Sequence, residues 1–174
     1  MALLPIITAP DPRLKQIAKS VEKVDAEVRK LMADMLETMY AAPGIGLAAP
    51  QVGVLKRVIV LDLAREDEEP QPLKMANPEI VWVSDEDATY NEGCLSLPEH
   101  YADVVRPARC TVRYLDDQNE IRTLEAEGLL ATCVQHEIDH LEGILFVDHL
   151  TALKRNMILR KLLKAKKAGQ AVSA

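Results

Sequence analysis

The sequence predicts an α+β fold. Helical periodicity dominates near the start and in the last third, short β-branched or alternating segments cluster between, and no strand–helix–strand alternation appears. At 174 residues the chain suggests one domain spanning 1–174, or one domain with an appended helix, large enough to bury a core without disulfides.

The elements follow in order. Val24 to Ala41 reads as an amphipathic helix: Asp25 can cap its start, Val28, Leu31, Met32, Met35, Leu36 and Met39 share a face, and Pro43-Gly44 ends it. Val58 to Leu61 is a β-branched strand, and Glu66 to Pro72 is an acidic, Pro-bearing exposed loop. Glu79 to Val83 and Cys110 to Leu115 read as further strands. Ile121 to Leu124 pairs back after the Asp116-Asp117-Gln118-Asn119 turn. Gly128 to Phe146 reads as an apolar helix with a polar centre. Leu150 to Lys167 reads as a basic helix whose apolar stripe is Leu153, Met157, Leu162 and Leu163.

Composition excludes several function classes. Apolar residues make up 48% and charged residues 28%, the balance of a globular chain, and no apolar run reaches the ~18 residues that span a bilayer. The opening Met1-Ala2-Leu3-Leu4-Pro5 lacks a basic segment and a long apolar one, so a cytoplasmic location is expected. One Trp, four Tyr and one Phe, with a net charge of −6, argue against a base-stacking surface and sequence-specific nucleic-acid binding. Residues 151–174 nevertheless hold seven Lys or Arg and no Asp or Glu. That pattern suits a solvated helix face or a polyanion contact. Cys94, Cys110 and Cys133 are too few and too widely spaced for a disulfide framework.

The chemistry concentrates in His136-Glu137-Ile138-Asp139-His140. Histidines at i and i+4 lie on one helix face, within reach of one cation, and Glu137 beside them can handle a proton without being a ligand. The flanking Leu129, Leu130, Val134, Leu141, Ile144 and Leu145 are apolar, so these polar groups need partners. A catalytic site of this type needs a third protein ligand and an open position. Downstream stand Glu142, Asp148 and His149; Glu142 is on another helical face, His149 lies beyond the expected helix end, and neither has the extended spacing that proteases use. Upstream, Glu92-Gly93-Cys94-Leu95-Ser96-Leu97-Pro98 puts a thiol in an expected turn. A thiolate binds divalent metals strongly, although a free cysteine is more commonly a small buried hydrophobe, as expected of Cys110. Cys133, one turn before His136, would line the same cavity. Gly44-Ile45-Gly46-Leu47-Ala48-Ala49-Pro50-Gln51 superficially matches a dinucleotide loop, but a helix precedes it and Pro50 stands where a helix should start. Its glycines instead permit close backbone approach by an extended ligand, and Gln51 offers an amide donor to a developing oxyanion.

Together these three segments resemble the peptide deformylase family. All three of its motifs are complete and in order: Gly44 to Gln51, Glu92 to Ser96, and Gln135 to Leu141. The resemblance covers nearly the whole chain. It implies antiparallel or mixed sheets around a central metal-bearing helix, and removal of the formyl group from the N-terminal formyl-methionine of new polypeptides. It further implies that Cys94, His136 and His140 bind the metal, that water activated there is the nucleophile, and that Glu137 is general base and then general acid. Gln51 and the Leu95 N–H would stabilise the oxyanion. The metal would be Fe(II), with Ni(II), Co(II) or Zn(II) as substitutes, because the donor set suits several ions. The Met side chain would enter a pocket of Ile45, Tyr90, Leu129 and Cys133, and the peptide backbone would pair with Ile45, Gly46 and Gly93. Tyr101 stands where some bacterial members have Arg, with Arg106 as the substitute to consider. The basic helix at about 150–167 would suit docking near the ribosomal exit tunnel. Two other readings stay open on the residues alone: a His-Glu-x-x-His metalloprotease, and a non-catalytic metal-binding or ribosome-associated protein.

Overall fold

The computed structural model describes residues 2–173, with side chains to Gly169; Met1 and Ala174, the ends of the expected domain, lie outside the described residues. The elements run α1 (Ala26–Ala41), β1 (Gly46–Ala48), β2 (Val58–Leu61), β3 (Leu73–Val83), β4 (Asp87–Cys94), β5 (Leu97–Pro107), β6 (Arg109–Leu115), β7 (Ile121–Glu127), α2 (Gly128–Leu141) and α3 (Ala152–Ser173). This is the α+β arrangement expected. Five strands form a sheet in the order β1-β2-β3-β6-β7, while β4 and β5 form a separate hairpin. Every pairing between these strands is antiparallel.

The short strand β2 shows why the sheet has helices on both faces. Successive side chains point to opposite sides, yet all four residues of β2 are buried. Ile59 and Leu61 join Met75, Cys110 and Val112 against Val134, Ile138 and Leu141 of α2. Val58 and Val60 face the other way, onto Val28, Met32, Met35 and Met39 of α1. The Met-rich stripe of α1 is therefore core, and Cys110 is a buried core thiol. The Asp25 carboxylate caps α1 by accepting the Val28 N–H at 2.9 Å. A third cluster joins Leu14, Leu97, Val104, Phe146 and Val147 to Leu162 of α3.

Three expectations are corrected. The helix expected over Gly128 to Phe146 stops at Leu141: Gly143 takes a left-handed φ of 72°, and a Cβ there would lie 2.4 Å from the Lys15 carbonyl oxygen. Phe146–His149 forms a separate 3₁₀ turn. The last helix starts at Ala152, after the Thr151 hydroxyl accepts the Lys154 N–H, and runs to Ser173. Its expected stripe does not pack as a unit, since Leu153, Met157 and Leu163 are exposed and only Leu162 is buried. Finally, Asp87 to Pro107 is a long hairpin. Cys94 is the last residue of β4, at a register shift just before the Leu95-Ser96 turn. Among the described residues, no helix is long and apolar enough to cross a membrane.

Candidate metal centre

Helix α2 carries the first two donors. His136 and His140 stand one turn apart with ring centroids 5.1 Å apart, and both are buried. The end of β4 brings Cys94 to them, its Sγ 3.4 Å from His140 Nε2. One donor atom from each of Cys94, His136 and His140 lies within 4.8 Å of the others, and the described residues contain no other such group. The downstream alternatives are engaged elsewhere: Glu142 pairs with Arg57 at 2.8 Å, Asp148 pairs with Lys15, and His149 meets Asp139 at 2.8 Å.

Behind the donors runs a polar chain that the sequence reading did not assemble. His136 Nδ1 lies 2.9 Å from Glu92 Oε1. A carboxylate there favours the Nδ1–H tautomer and leaves Nε2 free to ligate. Glu92 in turn accepts from Arg106 Nε at 2.7 Å and Nη2 at 2.9 Å, and Arg106 Nη1 donates to Asp139 Oδ2 at 2.7 Å. Phe146 stacks on the His136 ring at 6.2 Å. Arg106 is thus buried and fully engaged, which corrects its suggested role as a downstream peptide contact. Tyr101, by contrast, is exposed on the cleft rim.

The electrostatics fit a divalent cation. Burial disfavours a charged His136, but the facing Glu137, Cys94 and Glu92 outweigh it and hold its pKa well above the ordinary value. Burial and the neighbouring His136 press His140 well below. Burial lifts the Glu137 carboxyl to about 7, against the pull of His136 and Arg106. Glu137 Oε1 and His140 Nδ1 are buried without a hydrogen-bond partner. Two imidazoles and a thiol, with a carboxylate beside them whose Oε1 has no hydrogen-bond partner, suit a borderline divalent metal.

The donors open onto a cleft of about 680 Å³, lined by every residue of the expected pocket: Ile45, Gly46, Tyr90, Gly93, Leu129 and Cys133, with Gln51, Leu95 and Glu137. Ile45 and Leu129 are 44% and 46% exposed at its mouth, whereas Cys133 is buried, and its burial pushes the thiol pKa up. Gln51 is fixed by the turn that follows β1. Its Oε1 accepts the Ala48 N–H at 2.9 Å, which turns Nε2 toward Ser96 Oγ at 3.0 Å and Cys94 Sγ at 3.4 Å. Gly46 packs so closely that a Cβ would lie 2.5 Å from Glu137 Oε2. Among the described residues, both strands beside the cleft have a free side: β1 ends its sheet, and β4 pairs only with β5.

Comparison with known proteins agrees with this geometry. The profile of the polypeptide deformylase family matches residues 3–156. The peptide deformylase of Phenylobacterium zucineum is 61% identical over 97% of this chain and 99% of its own. That of Agrobacterium fabrum is 57% identical over the same shares. The crystal structure of peptide deformylase from Ehrlichia chaffeensis superposes with a TM-score of 0.91 at 42% identity, covering 97% of this chain and 99% of that one. A second Ehrlichia chaffeensis structure, in complex with actinonin, gives 0.90 at 45% identity over 95% and 98%. The chain belongs to the polypeptide deformylase family.

Proposed function

We propose that this chain, acting as one catalytic domain, is a metal-dependent hydrolase that removes the N-formyl group from the formyl-methionine of new polypeptides and releases formate. The observation that carries the reading is the convergence of Cys94, His136 and His140 within 4.8 Å, beside the buried Glu137 carboxylate, whose Oε1 has no hydrogen-bond partner. A divalent ion held by these three residues supplies Lewis acidity and lowers the pKa of water. Fe(II) is the ion this reading favours, with Ni(II), Co(II) or Zn(II) as substitutes, since a thiolate and two imidazoles suit each of them.

The chain's own groups divide the remaining work. Glu92 holds the His136 ring through Nδ1, and Arg106 holds Glu92. A formyl-Met peptide enters extended, adding backbone pairing to the free sides of β1 and β4 at Ile45, Gly46 and Gly93. Its Met side chain fills the pocket of Ile45, Tyr90, Leu129 and Cys133. Glu137 takes a proton from the attacking water as the new C–O bond forms at the formyl carbon. Negative charge then develops on the formyl oxygen, where Gln51 Nε2 and the Leu95 N–H donate to it. Glu137 delivers its proton to the amine as the C–N bond breaks, leaving formate and a free amino terminus.

The test is formate release from formyl-Met-Ala-Ser by anaerobically purified protein, with metal content read on the same sample. About one metal per chain with turnover supports the reading, and a fully metallated, inactive protein rejects it. Glu137→Gln should cut turnover about a thousandfold with the metal retained. Cys94→Ser should lose metal, which a His-Glu-x-x-His protease without a Cys94 ligand would not. Actinonin, bound by the Ehrlichia chaffeensis deformylase, should compete with the peptide.

A cytoplasmic location and a ribosomal contact near the exit tunnel belong to the same reading. The basic charges of α3 support the second, since polyanion contacts weaken as salt rises. Replacing Lys154, Lys161 and Lys164 by Glu keeps the buried Leu162 and should abolish salt-sensitive ribosome binding; unchanged binding sinks the contact.

A further inference from the structure

The last turn of α1 and the loop that follows it carry an arrangement that the metal chemistry does not use. Tyr40 donates its hydroxyl to the Asp62 carboxylate, which also accepts the Ala64 N–H at 2.9 Å and the Gln71 N–H at 3.1 Å. Asp62 is buried although it immediately follows β2, and its own backbone N–H donates to the Ile45 carbonyl at 2.9 Å. One residue therefore grips both ends of the segment from Tyr40 to Ile45. At the helix end, the Gly44 N–H donates to the Met39 carbonyl at 2.7 Å. The enclosed residues Ala42, Pro43, Gly44 and Ile45 form one lip of the cleft and lead directly into β1.

We propose that Tyr40 and Asp62 are positioning residues, a clamp that sets the free side of β1 at the spacing an extended substrate needs. The proposal rests on the deformylase reading for its substrate. The physical reasoning concerns entropy. A four-residue connection carrying a glycine samples several conformations unless tied down. A strand edge that must pair with a ligand binds more tightly when it is already in its bound shape. The clamp is made of groups that stay in one protonation state. Burial, then the hydrogen bond to Asp62, lifts the Tyr40 hydroxyl to about 12, and the bonds from Tyr40, Ala64 and Gln71 outweigh burial to keep Asp62 low.

Tyr40→Phe removes one oxygen and leaves the ring, so it tests the clamp without opening the core. Metal-loaded protein is assayed with formyl-Met and with formyl-Met-Ala-Ser. The KM of the tripeptide should rise about fivefold with kcat held within about twofold, because a bond to a charged acceptor is lost. The KM of formyl-Met should move less than about twofold, as it has no downstream backbone to pair. Asp62→Asn retains an acceptor for Tyr40 and should raise the tripeptide KM less than Asp62→Ala. Independently of turnover, hydrogen exchange at the Gly44 and Asp62 amides, which bond the Met39 and Ile45 carbonyls, should quicken in Tyr40→Phe while Val60 stays protected. Equal KM shifts for both substrates, or unchanged exchange at Gly44 and Asp62, overturn the clamp. A wild-type protein that releases no formate overturns the deformylase reading instead, and the exchange data still judge the clamp.

Discussion

Glu137 sits with Oε2 against Gly46 and Oε1 without a partner. A methyl group at position 46 would meet the tip of that side chain, not backbone, so the collision is relieved by moving the carboxylate. Gly46→Ala should therefore spare folding and metal binding but lower kcat about a hundredfold, the cost of a misplaced base, as read from formate release beside an unchanged melting curve. Arg106 gives the opposite case. Its guanidinium holds the buried Glu92 and the half-buried Asp139, and Arg106→Met leaves Glu92 without its cation. The loss should be about 3–5 kcal/mol of stability and about 10- to 100-fold in metal affinity, measured by denaturant titration and by competition with a chelator. The two residues also differ in how far sequence could place them. His136, Glu137 and His140 are related by helical spacing alone, so their convergence is written locally. Arg106 meets Glu92 across 14 residues and Asp139 across 33, and only the hairpin's course makes those distances short.

Elements divide along the same line. Helix α1, strand β2 and the β6–β7 pair were legible because each carries a repeat of one type: a stripe at helical spacing, a β-branched run, or two strands about a polar turn. The β4–β5 hairpin was not, because its residues alternate toward a polar cleft and toward solvent, leaving Asn91, Glu92, Glu99 and His100 where an apolar strand signal would stand. The end of α2 was hidden for another reason. Leu141, Ile144, Leu145 and Phe146 continue the apolar pattern, and only the packing of Gly143 against Lys15 forces the stop. Gly143→Ala combines a left-handed φ of 72° with a 2.4 Å approach to a carbonyl oxygen. It should cost about 1–3 kcal/mol, seen as a lower melting temperature with kcat retained in the cold.

At the scale of the molecule, titration is set by groups remote from the metal as well as near it. Cys110 lies in the core between sheet and α2, and burial lifts its thiol from 9.0 to about 11. Between those values the unfolded chain has released a proton that the folded chain keeps. The folded state binds more protons there, so stability falls as the pH climbs from about 9 and the contribution levels off beyond about 11. Cys110→Ala should flatten that alkaline slope in chemical denaturation series at pH 8, 9, 10 and 11, whatever its constant effect on packing. Unaltered slopes would mean that other groups govern alkaline unfolding.

The free sides of β1 and β4 have one more consequence. Exposed strand edges are ordinarily sticky, inviting a stray chain to pair. Here residues of both edges line the same cleft, Gly46 from β1 and Tyr90 to Cys94 from β4. A nascent chain in that slot would complete two sheets at once, acting as a temporary splint between the hairpin and the five-stranded sheet. The enzyme would then be stiffest while its substrate is bound, and would loosen as the shortened product leaves.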